Sequence, residues 1–140
     1  TDRFFHFIFI LQNRQMIIVC DAFWHICALE NQKVVGLFLL LLENYFPTSV
    51  VEPIRQHVAA KRYLCAVDSN YFKLLSSASV NTLDLQGGAM SLKEVKEFEK
   101  NEYLEQCINL RYWDDKAKDP EKKCPSFSYY RSLINSLVKS

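Results

Sequence analysis

Within HVAAKRYLCAVDSNYF, residues 57–72, a histidine stands four residues before a lysine in a run that is otherwise largely apolar. Positions i and i+4 of a helix share a face, so His57, Lys61 and Leu64 fall on one stripe with Ala60 beside it. Val58, Arg62 and Cys65 fall a quarter turn or more away. In that arrangement an imidazole can ligate a metal or move a proton, and an ammonium one turn on can hold an anionic substrate beside it. The plainer reading is a histidine at the edge of the core and a lysine whose stem covers apolar surface. The pair taken alone favours the plainer reading.

The elements that must position these residues are legible from caps and breakers. The spacing predicts a helix from Val50 to Cys65, opened by a capping box of Ser49 and Glu52 with Pro53 in the first turn, where its missing N–H does no harm. Asp68 is placed to cap a short helix over SNYFKLLS. SASVNTLDLQGG reads as a helix stopped by Gly87 and Gly88. Ser91 and Glu94 form a second capping box, opening LKEVKEFEKN. A long amphipathic helix is expected from Glu102 to Lys118, ended by Asp119–Pro120, and a last one from Ser126 to Val138. Everything after residue 48 is thus helix and turn, which defines an all-α class. Upstream, FFHFIFIL, MIIVC and GLFLLLL are nearly continuous apolar runs without a clear period. A helix is expected from Lys33 to Tyr45. Residues 1–30 stay unassigned, since their length favours buried helix while their aromatic and β-branched content permits strands.

A chain of 140 residues suits a single domain, 1–140, with one proper core. Its 49% apolar and 24% charged residues are those of an ordinary globular protein, and three glycines and four prolines favour long helices. A net charge of +1 gives no electrostatic case for nucleic acid or a membrane surface as partner. The cysteines at 20, 27, 65, 107 and 124 form no CxxC pair and no zinc spacing, which fits unpaired thiols in a reducing compartment. The apolar runs are too short to cross about 30 Å of hydrocarbon, so the chain reads as cytoplasmic.

Four stretches occur in order: VVEPIRQHVAAKRYLCAVD, SASVNTLDLQGGAMS, FEKNEYLEQCINLRYWDD and KAKDP. Together, over residues 48–120, they resemble an HD-domain subfamily associated with phosphonate degradation, whose characterised members are iron-dependent oxygenases that cleave a carbon–phosphorus bond. The resemblance implies an HD-like helical bundle, incomplete here at its N-terminal side. It implies that His57 is a metal ligand and that Asp114 is the carboxylate closing the metal site, Asp115 being the neighbour most easily confused with it. It also implies that Lys61 meets the phosphonate and that Ser79, Thr82 and Gln86, a polar stripe at i, i+3 and i+7, hydrogen-bond it. Arg111, three residues before Asp114 on the same face, is a further anion-binding candidate. Plainer readings stand beside these: Ser79 and Thr82 as helix-surface hydroxyls, and Arg111–Asp114 as an i,i+3 ion pair of about 0.2–0.5 kcal/mol.

The chain departs from the family upstream of His57. No histidine is followed by aspartate anywhere, although the family's adjacent His-Asp pair helps to hold two irons. Where that pair would fall the chain reads FILQNRQ, and at the next ligand position it has Lys33. His6, Asp21 and His25 are the remaining upstream candidates, and the region is expected to contribute no ligand facing His57. A degenerate copy and a disturbed reading frame both account for such a region. Iron is therefore the family's cofactor, with a di-iron centre not expected to be retained. Three functions follow as expectations: a relative of the C–P-cleaving oxygenases acting on hydroxylated aminoalkylphosphonates, impaired or inactive; a non-catalytic phosphonate- or phosphate-binding or scaffold protein; or a metal-dependent phosphohydrolase. The expected partner in each of the first two is a small anionic phosphonate or phosphate.

Overall fold

The structure, a computed structural model, describes residues 7–12, 15–20, 32–117, 131 and 135–138. From residue 32 to residue 117 it is helix and turn, as the caps and breakers predict for the chain after residue 48. Ahead of the helices stand two strands, β1 (Phe7–Gln12) and β2 (Gln15–Cys20), paired antiparallel from Phe7 opposite Cys20 to Gln12 opposite Gln15. FIFILQ and QMIIVC are rich in β-branched and aromatic residues, which fit a pleated surface better than a helix. That composition decides a segment whose period could not. His6, Asp21 and His25 lie outside the described residues, as does most of the helix expected from Ser126 to Val138.

Helix α1 (Gln32–Tyr45) matches the expected span to within a residue. Next come α2 (Thr48–Arg55) and α3 (His57–Val67), where one helix was expected from Val50 to Cys65. The chain breaks at Gln56, whose φ of −87° and ψ of 8° leave the helical region. Pro53 lies inside α2 rather than in its first turn, and its missing N–H weakens the ladder just before the break. The capping box expected of Ser49 and Glu52 does not form. The amides of Val50 and Val51 both bond the Pro47 carbonyl, so Pro47 takes the cap position and Ser49 falls inside the helix. Glu52 turns instead to Arg55 and Gln56.

The later helices follow their caps. α4 (Ser69–Leu74) is capped by the Asp68 side chain, and α5 (Ser77–Leu85) by that of Ser76. α5 stops at Gly87 and Gly88, with φ of 97° and 72°, and the Gly88 amide returns to the Leu83 carbonyl. α6 (Leu92–Phe98) opens on the full Ser91–Glu94 capping box. α7 (Leu104–Ala117) carries the last expected site residues, starting two residues later than predicted.

Helix α3 is the hub. It packs on α7, α4, α6 and α2, while α2 also meets α7, α1 and β2. Ala60 and Cys107, both fully buried, let α3 and α7 approach closely, and Phe98 of α6 closes the cluster with its ring 5.2 Å from that of Tyr63. Among the described residues no helix is long and apolar enough to cross a membrane.

Candidate functional site

The break at Gln56 makes His57 the first residue of α3 and turns its side chain inward. His57, Lys61, Ser79, Arg111 and Asp114 are all buried, none more than 6% exposed. Five ionisable or polar groups in a domain interior must find partners there, because an unpaired buried charge costs several kcal/mol. They do so in two adjoining clusters.

The first cluster joins α3 to α7. His57 Nε2 stands 3.5 Å from Asp114 Oδ2, within the span of two donors on one metal ion. Arg111 flanks the pair. Its Nη1 is 2.9 Å from His57 Nε2 and 3.3 Å from Asp114 Oδ2. A guanidinium only donates, so the imidazole nitrogen facing it accepts, and His57 is neutral with its proton on Nδ1. Two acceptors facing each other at 3.5 Å make no bond of their own; the cation beside them supplies the attraction. The rest of Arg111 is fixed from the other side. Nη2 donates to Asp115 Oδ1 at 2.5 Å, and Nε is shared between the Tyr71 hydroxyl at 2.7 Å and Asp115 Oδ2 at 3.1 Å. Tyr71 in turn donates to Asp115 Oδ2 at 2.7 Å. Burial alone would lower the Arg111 pKa, but Asp115, Tyr71 and Asp114 outweigh it and hold the guanidinium charged. Burial also drives the Tyr71 phenol well above its ordinary value, so it stays protonated and able to donate.

The second cluster joins α3 to α5. Lys61 Nζ donates to Thr82 Oγ1 at 3.0 Å and to the Ser79 carbonyl at 3.3 Å. The Thr82 hydroxyl reaches back to the carbonyls of Ala78 and Ser79, and the Ser79 hydroxyl meets that of Ser76 at 3.1 Å. Lys61 and Arg111 both act on the Cys65 thiol, lowering its pKa against the larger upward effect of burial, so the two cations share one neighbourhood. Gln86 ends α5 as its C-cap, with Oε1 buried and without a hydrogen-bond partner.

Of the seven expected site residues, the structure joins His57, Arg111 and Asp114 directly, and Lys61 with Ser79 and Thr82 directly. Among the described residues no side-chain hydrogen bond ties Gln86 to either group. His57, Lys61, Ser79, Arg111 and Asp114 together form a buried polar interior. A groove of about 450 Å³ beside it, lined by Gln56, Met90, Glu94 and Lys100 among others, contains none of the seven. Sequence reasoning missed Tyr71, which sits one helix away from Lys61 and forty residues from Arg111; a tyrosine beside the capping Asp68 gave only the hint of a polar tip on a buried ring. It also missed Arg62, which donates to the Gly88 carbonyl and to Glu94 and so pins the turn that follows α5.

The iron that the resemblance implies does not fit the donors as they stand. Among the described residues no group of three or more His, Cys, Asp or Glu side chains is placed to hold a metal ion. The His57 lone pair points at Arg111, and one guanidinium nitrogen stands within 3.3 Å of both donors.

No protein-family model matches the chain. It is 44% identical over 98 residues to 1-hydroxy-2-(trimethylamino)ethylphosphonate dioxygenase (glycine-betaine-forming) of Leisingera caerulea, a match covering 70% of this chain and 50% of that protein. It is 43% identical over 98 residues to hydroxymethylphosphonate dioxygenase of Gimesia maris, covering 70% of this chain and 49% of that one. An uncharacterised protein of Acanthamoeba polyphaga mimivirus is 37% identical over 94 residues, 67% of this chain and 43% of its own. The chain therefore has homologues named as phosphonate dioxygenases, and it spans about half the length of the curated relatives it matches.

Proposed function

We propose that this chain is an HD-type relative of the oxygenases that cleave the C–P bond of hydroxylated phosphonates, and that its described residues supply the anion-binding side of such a site. The observation that carries this reading is Lys61: an ammonium 3% exposed, one turn from His57, donating to Thr82 Oγ1 and the Ser79 carbonyl of α5. A buried ammonium among hydroxyls is matched to an oxyanion, which takes charge-assisted bonds from the lysine and ordinary ones from Ser79 and Thr82. The ammonium exchanges its bond to the Ser79 carbonyl for one to a phosphonate oxygen, which places the substrate's carbon toward His57. Unpaired thiols at Cys65 and Cys107 suit the cytoplasmic setting expected of such a protein.

One or two charge-assisted contacts contribute about 1.5–3 kcal/mol each, so millimolar affinity remains once association entropy is subtracted. Calorimetry with hydroxymethylphosphonate and with inorganic phosphate, on the wild-type chain and on Lys61→Ala, tests this. Binding that Lys61→Ala weakens at least tenfold is the expected result; equal binding by both proteins, or heat from neither, overturns it. Oxygen uptake on adding ferrous iron and the phosphonate then separates an oxygenase from a non-catalytic binder. The second reading is favoured by one observation, the engagement of the His57 lone pair by Arg111.

A further inference from the structure

Arg111 is better anchored than an anion-binding arginine needs to be. Of its five N–H groups, Nε–H serves Tyr71 and Asp115, one on Nη2 serves Asp115, and Nη1 serves His57 and Asp114. A guanidinium held in this way is spent on protein acceptors. It also presents to an imidazole and a carboxylate together the positive charge that a metal ion would present to them. We propose that Arg111 is a built-in substitute for the metal: it holds the His57–Asp114 pair closed, and a divalent transition cation binds that pair only by displacing the guanidinium.

The argument is one of charge and space. A metal bonded to His57 Nε2 needs the lone pair that now accepts from Arg111 Nη1 at 2.9 Å, and it needs Asp114 Oδ2, which lies 3.3 Å from the same nitrogen. A dication and a guanidinium cannot share that pair, because like charges a few ångströms apart in a buried site repel strongly. Displacing Arg111 means breaking its bonds to Tyr71 and Asp115 as well, since a rigid planar fork cannot release Nη1 alone. Asp115 and Tyr71 are therefore the latch, and His57 and Asp114 the site that it covers. This inference rests on reading His57 and Asp114 as a ligand pair but not on anion capture by Lys61, so the phosphonate calorimetry and the metal titration fail independently.

The test is a Co(II) titration of the full chain, followed by the d–d absorption of the bound ion and by calorimetry, with thermal melting in parallel. Arg111→Gln, which keeps the shape and removes the charge, should bind Co(II) at least about tenfold more tightly than the wild type. His57→Ala in the Arg111→Gln background should lose that gain. Asp115→Asn leaves the guanidinium and both ligands in place and loosens only the latch, so it should give an intermediate increase, and it serves if Arg111→Gln folds poorly without metal. A melting temperature that Co(II) raises in Arg111→Gln and not in the wild type is the matching stability result. Wild-type affinity equal to that of Arg111→Gln and Asp115→Asn, or a gain that survives His57→Ala, overturns the proposal.

Discussion

At Arg111 a planar cation meets two carboxylates, a phenol and an imidazole, and the polarity of each partner is dictated by what a guanidinium can do. Because it only donates, the His57 nitrogen that faces it must accept, and Tyr71 must accept from it while donating its own O–H to Asp115. Removing one partner leaves a buried group short rather than simply deleting a bond. Tyr71→Phe takes away an acceptor from Arg111 and a donor from Asp115, and should cost about 1.5–3 kcal/mol in urea unfolding. Asp115→Asn removes the nearest compensating charge. A fully buried pair so broken costs about 3–5 kcal/mol, but the Asp115 side chain is 25% exposed and solvent screens part of the loss, so roughly 2–3 kcal/mol is expected. Unchanged stability in Tyr71→Phe would mean that the phenol is a bystander and that the latch has one member fewer.

Between helices, the devices that act over three or four residues control the outcome, and the Ser91–Glu94 box is the clearest. Glu94 accepts from the Ser91 amide and hydroxyl and from Arg62 Nη2, and these bonds, the backbone one foremost, depress its pKa from 4.5 to about 2. A carboxylate depressed on folding adds stability that is fully present above about pH 4.5 and is lost as pH falls toward 2. Urea midpoints measured across that window should fall for the wild type, and the fall should shrink in Glu94→Gln; parallel curves would remove the box from the account. Such caps were readable in the sequence at Asp68, Gly87–Gly88 and Ser91–Glu94 because every participant is local. The Ser49–Glu52 pattern misled for the same reason that it attracts: it has the right spacing, but Pro47 starts the helix earlier, and what fixes that start is the packing of Val50, Val51 and Ile54. The site divides likewise. His57 and Lys61 share a face by periodicity alone, whereas the lock of Tyr71 on Arg111 needs α4 and α7 brought together by α3, which no local pattern announces.

For the whole molecule, the contact of α3 with α7 is what brings the two halves of the site into register, since His57 rides on one helix and Arg111 and Asp114 on the other. Small residues make the contact possible: Ala60 and Cys107 are both fully buried, with Tyr63, Leu104 and Phe98 packed around them. Enlarging Ala60 to leucine pushes the helices apart and should cost about 1–3 kcal/mol. It should also widen the His57–Asp114 gap, because both helices are rigid rods pivoting on the same seam. Cys107 reports on that seam directly. Burial first, and Glu52 second, push its thiol from 9.0 up to about 12, so in the folded protein it is both shielded and protonated, whereas in the opened chain it titrates as an ordinary thiol. Its alkylation at mildly alkaline pH, read by mass spectrometry at that residue alone, should therefore follow the population of opened molecules. A loss of about 2 kcal/mol in Ala60→Leu would raise the labelling rate roughly 30-fold. Labelling of wild-type Cys107 at the rate of a urea-unfolded control would show that α3 and α7 part readily in the native state, and the shared site that they build would then have no fixed geometry.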